Sequence, residues 1–162
     1  AEPSYEITLQ TVVASNNTAE KSNLSATLST IVKKLKTEFP YTDFRLSQTF
    51  MQRVANNGSV ELNSVSYEVK QDKSLPVFSE WTVSGLQNIA DDNGQEVIQI
   101  QNFHFGQRVP IKNINDSVNY EPVGLTSRFS LMKNTPTVVG SLTTSRPDEL
   151  MFLILTVKSA DK

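Results

Sequence analysis

The chain of 162 residues contains no cysteine and a single histidine, His104. The absence of cysteine excludes a thiol nucleophile, a thiolate zinc site and a disulfide framework. A metal site would therefore need oxygen ligands, and the acidic stretch 91–96 does not have the ligand spacing of a calcium-binding loop. The sequence predicts neither a metal nor a cofactor.

The net charge is small, and the sequence has no long apolar run. The 15 basic and 17 acidic residues leave a net charge of -2, so there is no basic field to attract phosphates and we do not expect a nucleic acid partner. No apolar run approaches the roughly 20 residues that a membrane-spanning helix needs, so no transmembrane segment is expected. The six glycines are scattered singly and form no phosphate-binding loop.

Catalytic patterns are equally sparse. His104 lies between two phenylalanines in a strand-like run, and Gly140-Ser141 lacks the Gly-x-Ser-x-Gly pattern of a nucleophile elbow. Four acidic residues fall on predicted strands without any mark of an acid/base pair: Glu61, Glu68, Glu80 and Glu96. We expect a protein that is not an enzyme, with a carboxylate-based hydrolase or lyase as a minor alternative.

The strongest local pattern is an amphipathic helix. Apolar residues recur at helical spacing from Leu24 to Phe39, Ser22 is the candidate N-cap, and Pro40 ends the helix. Before it, residues 5–14 alternate as in a half-buried strand.

After the helix the period changes to two, and two turn motifs predict hairpins. Asn56-Asn57-Gly58-Ser59 joins a strand from Phe44 to a return strand over 60–69, and Asp91-Asp92-Asn93-Gly94 joins 78–89 to 96–105. Residues 71–76 are predicted as a loop, and 106–120 as an exposed excursion. Three further strands are predicted over 123–131, 137–142 and 150–158. The last is apolar on both parities and predicts a central strand that is covered on both faces.

These elements predict one β-rich domain over residues 1–162. The expected fold class is α+β, with one amphipathic helix on an antiparallel or mixed sheet of about seven to nine strands, either open or folded as a sandwich.

The helix exit and the C-terminal strand carry a resemblance. A group of uncharacterised exported bacterial proteins is resembled by Leu35-Lys-Thr-Glu-Phe39-Pro-Tyr41-Thr-Asp-Phe44-Arg45-Leu46, together with Thr137-Val-Val-Gly140 and the closing Leu153-Ile-Leu-Thr-Val157. The ending formed by Val138-Val-Gly140 and Leu153–Val157 is also loosely similar to the last strands of secretin outer-membrane channels. These motifs cover about a quarter of the chain, which lacks the proline-glycine lip motifs of a secretin core. The resemblance implies export and a β-rich fold, and it implies no activity.

The N-terminus also favours export, because Ala1-Glu2-Pro3 resembles a chain cut by signal peptidase. We therefore expect an exported, non-enzymatic interaction or assembly module of the periplasm or cell surface, as an accessory or subunit of a secretion or filament system. Its partners would be other proteins or copies of itself, since exposed strand edges can accept a further strand. The candidate interaction residues are Tyr5, Ile7, Leu9, Tyr41 and Arg45. The alternative is a carrier of a small apolar ligand held between helix and sheet by Leu28, Val32, Leu35, Trp81 and Phe103.

Overall fold

The computed structural model describes residues 3–16, 24–70, 73–144, 146 and 148–160. These residues form eight strands and one helix. Their bounds are β1 Ser4–Ser15, α1 Ala26–Glu38, β2 Asp43–Ala55, β3 Ser59–Lys70, β4 Lys73–Ala90, β5 Glu96–Lys112, β6 Val118–Leu131, β7 Thr137–Thr143 and β8 Leu150–Ser159.

The strands divide into two antiparallel sheets of four. Sheet A has the order β2-β1-β8-β7, and sheet B has the order β3-β4-β5-β6. The apolar core lies between the sheets, with β2 beside β3 on one side of the sandwich and β6 beside β7 on the other. The predicted α+β class, with its helix on one sheet of seven to nine strands, is therefore wrong. The protein is mostly β because its main core is formed by two sheets.

The helix lies on the outer face of sheet A. Leu28, Val32 and Leu35 form its buried stripe and pack into a second apolar cluster with Phe44 and Phe152. Burying three side chains of this size stabilises the helix by roughly 1.5 to 3 kcal/mol each, which an isolated helix of this length would lack.

The helix begins later than the sequence predicts. Ser25 is the N-cap, and its Oγ accepts a hydrogen bond of 3.4 Å from the Leu28 N–H. The predicted cap, Ser22, lies outside the described residues. At the other end the Phe39 N–H donates to the Leu35 carbonyl, and Pro40 prevents another turn.

Strands β1 and β8 show how the helix changes the sequence pattern. In β1 the alternating residues Tyr5, Ile7 and Leu9 face the main core, whereas Val12 and Ala14 face the helix cluster. The alternation therefore gives way to a continuous apolar run where the helix covers the second face. In β8 residues 151–157 are all buried between β1 and β7, which confirms the predicted central strand.

Strand β2 changes face at a bulge. The register with β1 shifts between Thr11 and Val12, so that Gln48 pairs with Thr11 but Leu46 pairs with Val12. One extra residue reverses the side-chain parity. As a result Phe44 lies in the helix cluster and Phe50 in the main core, although both have the same sequence parity.

The Asn57-Gly58 turn is present, but it does not form the predicted hairpin. Asn57 adopts a φ of 65°, as the turn motif predicts. However, β2 belongs to sheet A and β3 to sheet B, so this turn passes the chain from one sheet to the other. The Asn57 N–H donates to the Leu86 carbonyl at 2.8 Å, which fixes the corner against β4. The second predicted hairpin, at residues 91–94, is confirmed by the pairing of β4 with β5.

Sheet B forks at the end opposite the 91–94 turn. The β4–β5 ladder ends at the pair Phe78–Arg108, and two residues further on the same register would place Pro76 opposite Pro110. Neither proline has an N–H to donate, so the pairing cannot continue normally there. Beyond this point β4 pairs with β3 and β5 pairs with β6, which forms two ribbons without a β4–β5 ladder between them. The predicted loop over 71–76 is wrong from Lys73 onward, where β4 begins, and residues 71–72 lie outside the described ones. The predicted excursion over 106–120 is exposed from residue 111 onward, apart from the half-buried Asn113, but it consists of the paired strands β5 and β6 and the turn between them.

Candidate interaction surfaces

Both sheets end in strands that have a partner on one side only. In the part of the chain that the structure describes, β3 and β6 are the edges of sheet B, and β2 and β7 are the edges of sheet A. All neighbouring strands are antiparallel, so the two edges of each four-stranded sheet run in opposite directions. A second copy placed beside the first in the same orientation would therefore meet each edge with an antiparallel strand.

The edges of sheet B carry opposite charges on the same face. Glu61 on β3 is exposed and lies in one row across the sheet with Thr126 on β6, through the pairs of β3 with β4, β4 with β5, and β5 with β6. Arg128 is exposed two residues from Thr126 and shares its outward face. Diagonal neighbours on adjoining strands lie roughly 7 to 8 Å apart, within reach of these long side chains.

Three of the predicted interaction residues lie inside the sandwich. Tyr5, Ile7 and Leu9 are almost fully buried, and β1 is paired with β2 on one side and β8 on the other. The strand 5–14 therefore finds its partners within the chain. Tyr41 is half-buried at the edge of the helix cluster.

Arg45, the fifth predicted residue, pairs with a buried carboxylate. Its Nη2 lies 3.5 Å from Oε2 of Glu149, whose side chain is 6% exposed. Thr144 donates a hydrogen bond of 3.0 Å to the other Glu149 oxygen, and Arg146 lies 3.9 Å from the first. The cluster ties the start of β2 to the β7–β8 connection. Sequence reasoning did not identify Glu149, since only the fold brings it to Arg45.

His104 lies on the outer face of sheet B. Its Nδ1 is 3.0 Å from the Thr126 hydroxyl and its Nε2 is 3.5 Å from Glu80 Oε1. Gly106 and Gly124 have no side chains beside this group and leave a shallow depression, bounded on its far side by Phe78 and Arg108. The side chains of His104 and Glu80 are 37% and 58% exposed, so water reaches the group freely.

The residues of the predicted ligand carrier do not meet in one cavity. Leu28, Val32 and Leu35 pack in the helix cluster, whereas Trp81 and Phe103 lie in the core between the sheets. Sheet A separates the two groups. A groove does run between α1 and the edge strand β7, over Phe39, Val138 and Phe152, but it opens at the surface.

Two kinds of feature are absent from the described residues. No group of three or more histidine, aspartate and glutamate side chains there is placed to hold a metal ion. No helix among them is both long and apolar enough to cross a membrane.

The fold is similar to that of chains from bacterial secretion systems. One is a chain of the ETEC pilotin–secretin AspS–GspD complex, with a TM-score of 0.54, 8% sequence identity, and coverage of 100% of this chain and 50% of that chain. A second is the Salmonella SPI-1 type III secretion injectisome secretin InvG, with a TM-score of 0.47, 8% identity, and coverage of 100% and 66%. A third is a chain of the Salmonella SPI-1 basal body of InvG, PrgH and PrgK, with a TM-score of 0.47, 8% identity, and coverage of 100% and 47%.

The chain thus spans half the length of the first of these structures. No protein-family model matches the sequence, and no curated protein sequence matches it. At 8% identity the first likeness establishes a shared fold. It agrees with the secretin-like ending that the sequence suggested.

Proposed function

We propose that this chain is a non-enzymatic assembly module of the bacterial cell envelope, whose copies join edge to edge as part of a secretion system. The observation that carries the proposal is the direction of the edge strands, since the two edges of each sheet run in opposite directions. Because each sheet has four alternating strands, β6 of one copy meets β3 of the next in antiparallel orientation, and β7 meets β2. Repetition of one such head-to-tail contact closes a ring when the rotation between copies divides the full circle, and otherwise gives an open filament.

The charges on the sheet B edges support the same contact. Glu61 and Arg128 would face each other across the β3–β6 junction on the outer face, and opposite charges on adjoining strands favour one pairing over others. The fold shared with a chain of a pilotin–secretin complex supports the envelope and secretion context. The buried positions of Tyr5, Ile7 and Leu9 mean that the contact is assigned to the edges rather than to β1.

The test is a charge exchange at the two edges, followed by native mass spectrometry and negative-stain electron microscopy of the purified chain. The wild type is expected to form closed oligomers. Glu61→Arg and Arg128→Glu should each weaken association about tenfold per interface, since each places like charges opposite one another, which corresponds to about 1.4 kcal/mol. The combined variant should recover assembly.

Glu96→Arg is the matched control, because Glu96 is exposed on the interior strand β5 and should not affect assembly. A dimer as the largest species would replace the ring with a two-fold contact. A chain that stays monomeric in solution and captures no neighbour by cross-linking in cell envelopes would overturn the proposal.

A further inference from the structure

The β5–β6 ribbon ends in an unusual concentration of exposed apolar side chains. Beyond Arg108 it is a two-stranded ribbon, and residues 111–122 are exposed apart from the half-buried Asn113. Ile114, in the turn, is fully exposed, with Ile111, Val118 and Tyr120 on the adjoining strands at 36 to 41% exposure. We propose that this tip docks on a lipid bilayer, with Ile114 inserted at the boundary between headgroups and acyl chains.

The apolar residues lie on both faces of the ribbon. Ile111 has the parity of the inward-facing Val109, whereas Val118 pairs with Lys112 and shares the opposite face with Tyr120. A flat protein surface could cover one of these faces, but a fluid medium can surround both. Tyrosine is well suited to the rim of such a site, since its ring is apolar and its hydroxyl polar. The Tyr120 ring packs against Phe78, and its hydroxyl donates to the Pro76 carbonyl at 3.1 Å.

The polar groups of the turn already bond to one another. The Asn113 N–H donates to the Ser117 carbonyl at 2.8 Å, and the Asp116 N–H donates to the Asn113 carbonyl at 3.1 Å. The side chains of Asn113, Asn115 and Ser117 are linked by hydrogen bonds of 2.9 and 2.6 Å. Groups that have partners within the chain cost less to remove from water.

The turn also carries no net charge, although Glu121 on β6 gives residues 111–122 a net charge of -1. Lys112 and Asp116 form an ion pair of 3.4 Å across the turn. Since the whole chain has a net charge of -2, attraction to anionic lipid is not expected to drive binding. The proposal is therefore contact with the apolar layer of any fluid bilayer, and it does not depend on edge-to-edge assembly.

The experiment is flotation of the full chain with vesicles of pure phosphatidylcholine, and with vesicles that also contain phosphatidylglycerol. The wild type should float with both, without enhancement by the anionic lipid. Ile114→Asp should lower the bound fraction about tenfold, because it replaces the inserted side chain with a charge. Met132→Asp is the matched control, since Met132 is 48% exposed at the other end of the sheet and should leave flotation unchanged.

Circular dichroism should show that both variants keep the wild-type fold. Native mass spectrometry of Ile114→Asp should show unchanged assembly, which separates this proposal from the proposed function. Wild-type protein that stays at the bottom of the gradient with both vesicles, or Ile114→Asp that floats as well as the wild type, would overturn the lipid contact. Wild-type protein that does not float would also be expected if the tip binds another protein instead of lipid.

Discussion

The two sheets have the same number of strands but are covered differently. Sheet A has the main core on one face and the helix on half of the other, and its strands β7 and β8 are 7 and 10 residues long. Sheet B has the core on one face and solvent on the other, and its central strands reach 18 and 17 residues. Both sheets have two edges, but sheet A is anchored on both faces, whereas sheet B presents a long polar face and a forked end to solvent.

The largest expected difference in the free energy of unfolding is between substitutions on the outer faces of the two sheets. Phe152→Ala should lower the free energy of unfolding by about 3 to 5 kcal/mol, because Phe152 is buried against Phe39 and Phe44 beneath the helix. Glu80→Ala, on the solvated face of the interior strand β4, should change it by no more than about 0.5 kcal/mol. Urea denaturation measures both values, and equal losses would contradict the difference between the two faces.

The ion pair between Arg45 and Glu149 is expected to stabilise sheet A, and replacing Arg45 measures its contribution. Arg45→Met should cost about 2 to 3 kcal/mol, because it leaves the Glu149 carboxylate with less compensation. The loss should fall below that for a fully buried pair, since the Arg45 side chain is 20% exposed. Adding Glu149→Leu should recover part of the stability. A double-mutant cycle without any coupling energy would show that the pair contributes nothing.

The helix cap should have a smaller and more local effect. Ser25→Ala removes the hydroxyl that accepts from the Leu28 N–H and should cost about 0.5 to 1 kcal/mol. Ser25→Asp keeps an acceptor at the cap and is the matched control. Amide hydrogen exchange should accelerate in the first turn of α1 and remain unchanged in sheet B. A loss of protection throughout the sandwich would show that the helix folds together with both sheets.

The smallest change in stability is expected at the fork of sheet B. Replacing both Pro76 and Pro110 with threonine supplies two N–H groups, so the β4–β5 ladder should extend beyond Phe78–Arg108. Global stability should change by less than about 1 kcal/mol, since few side chains change burial. Nuclear Overhauser effects between backbone protons of residues 76 and 110 would report the new pairing. Their absence would show that the prolines do not hold the fork open.

Local chemistry in the sequence predicted several elements correctly. The acidic Asp-Asp-Asn-Gly turn at 91–94 and the doubly apolar strand 150–158 depend on neighbouring residues, and both are confirmed. Asn57-Gly58 also forms a turn with the expected backbone angle. However, a two-residue turn motif does not determine whether its flanking strands pair with each other or enter different sheets.

Features that depend on distant contacts could not be predicted. The bulge in β2 is visible only through its register with β1, and it separates Phe44 from Phe50. Arg45 was predicted as an interaction residue from the sequence, but its partner Glu149 lies 104 positions later in the chain. Glu61 and Arg128 can be recognised as charges on opposite edges of sheet B only when the strand order is known. The exposure of Ile114 similarly required the finding that residues 106–120 complete a hairpin.

Trp81 provides a consequence of a different kind. It is the single tryptophan of the chain, it is fully buried between the sheets beside Phe50, and its indole nitrogen has no hydrogen-bond partner among the described residues. Indole in such dry, apolar surroundings emits at short wavelength and shifts to the red when water reaches it. The protein therefore contains its own optical probe at the junction of the two sheets, and separation of the sheets can be followed without any label.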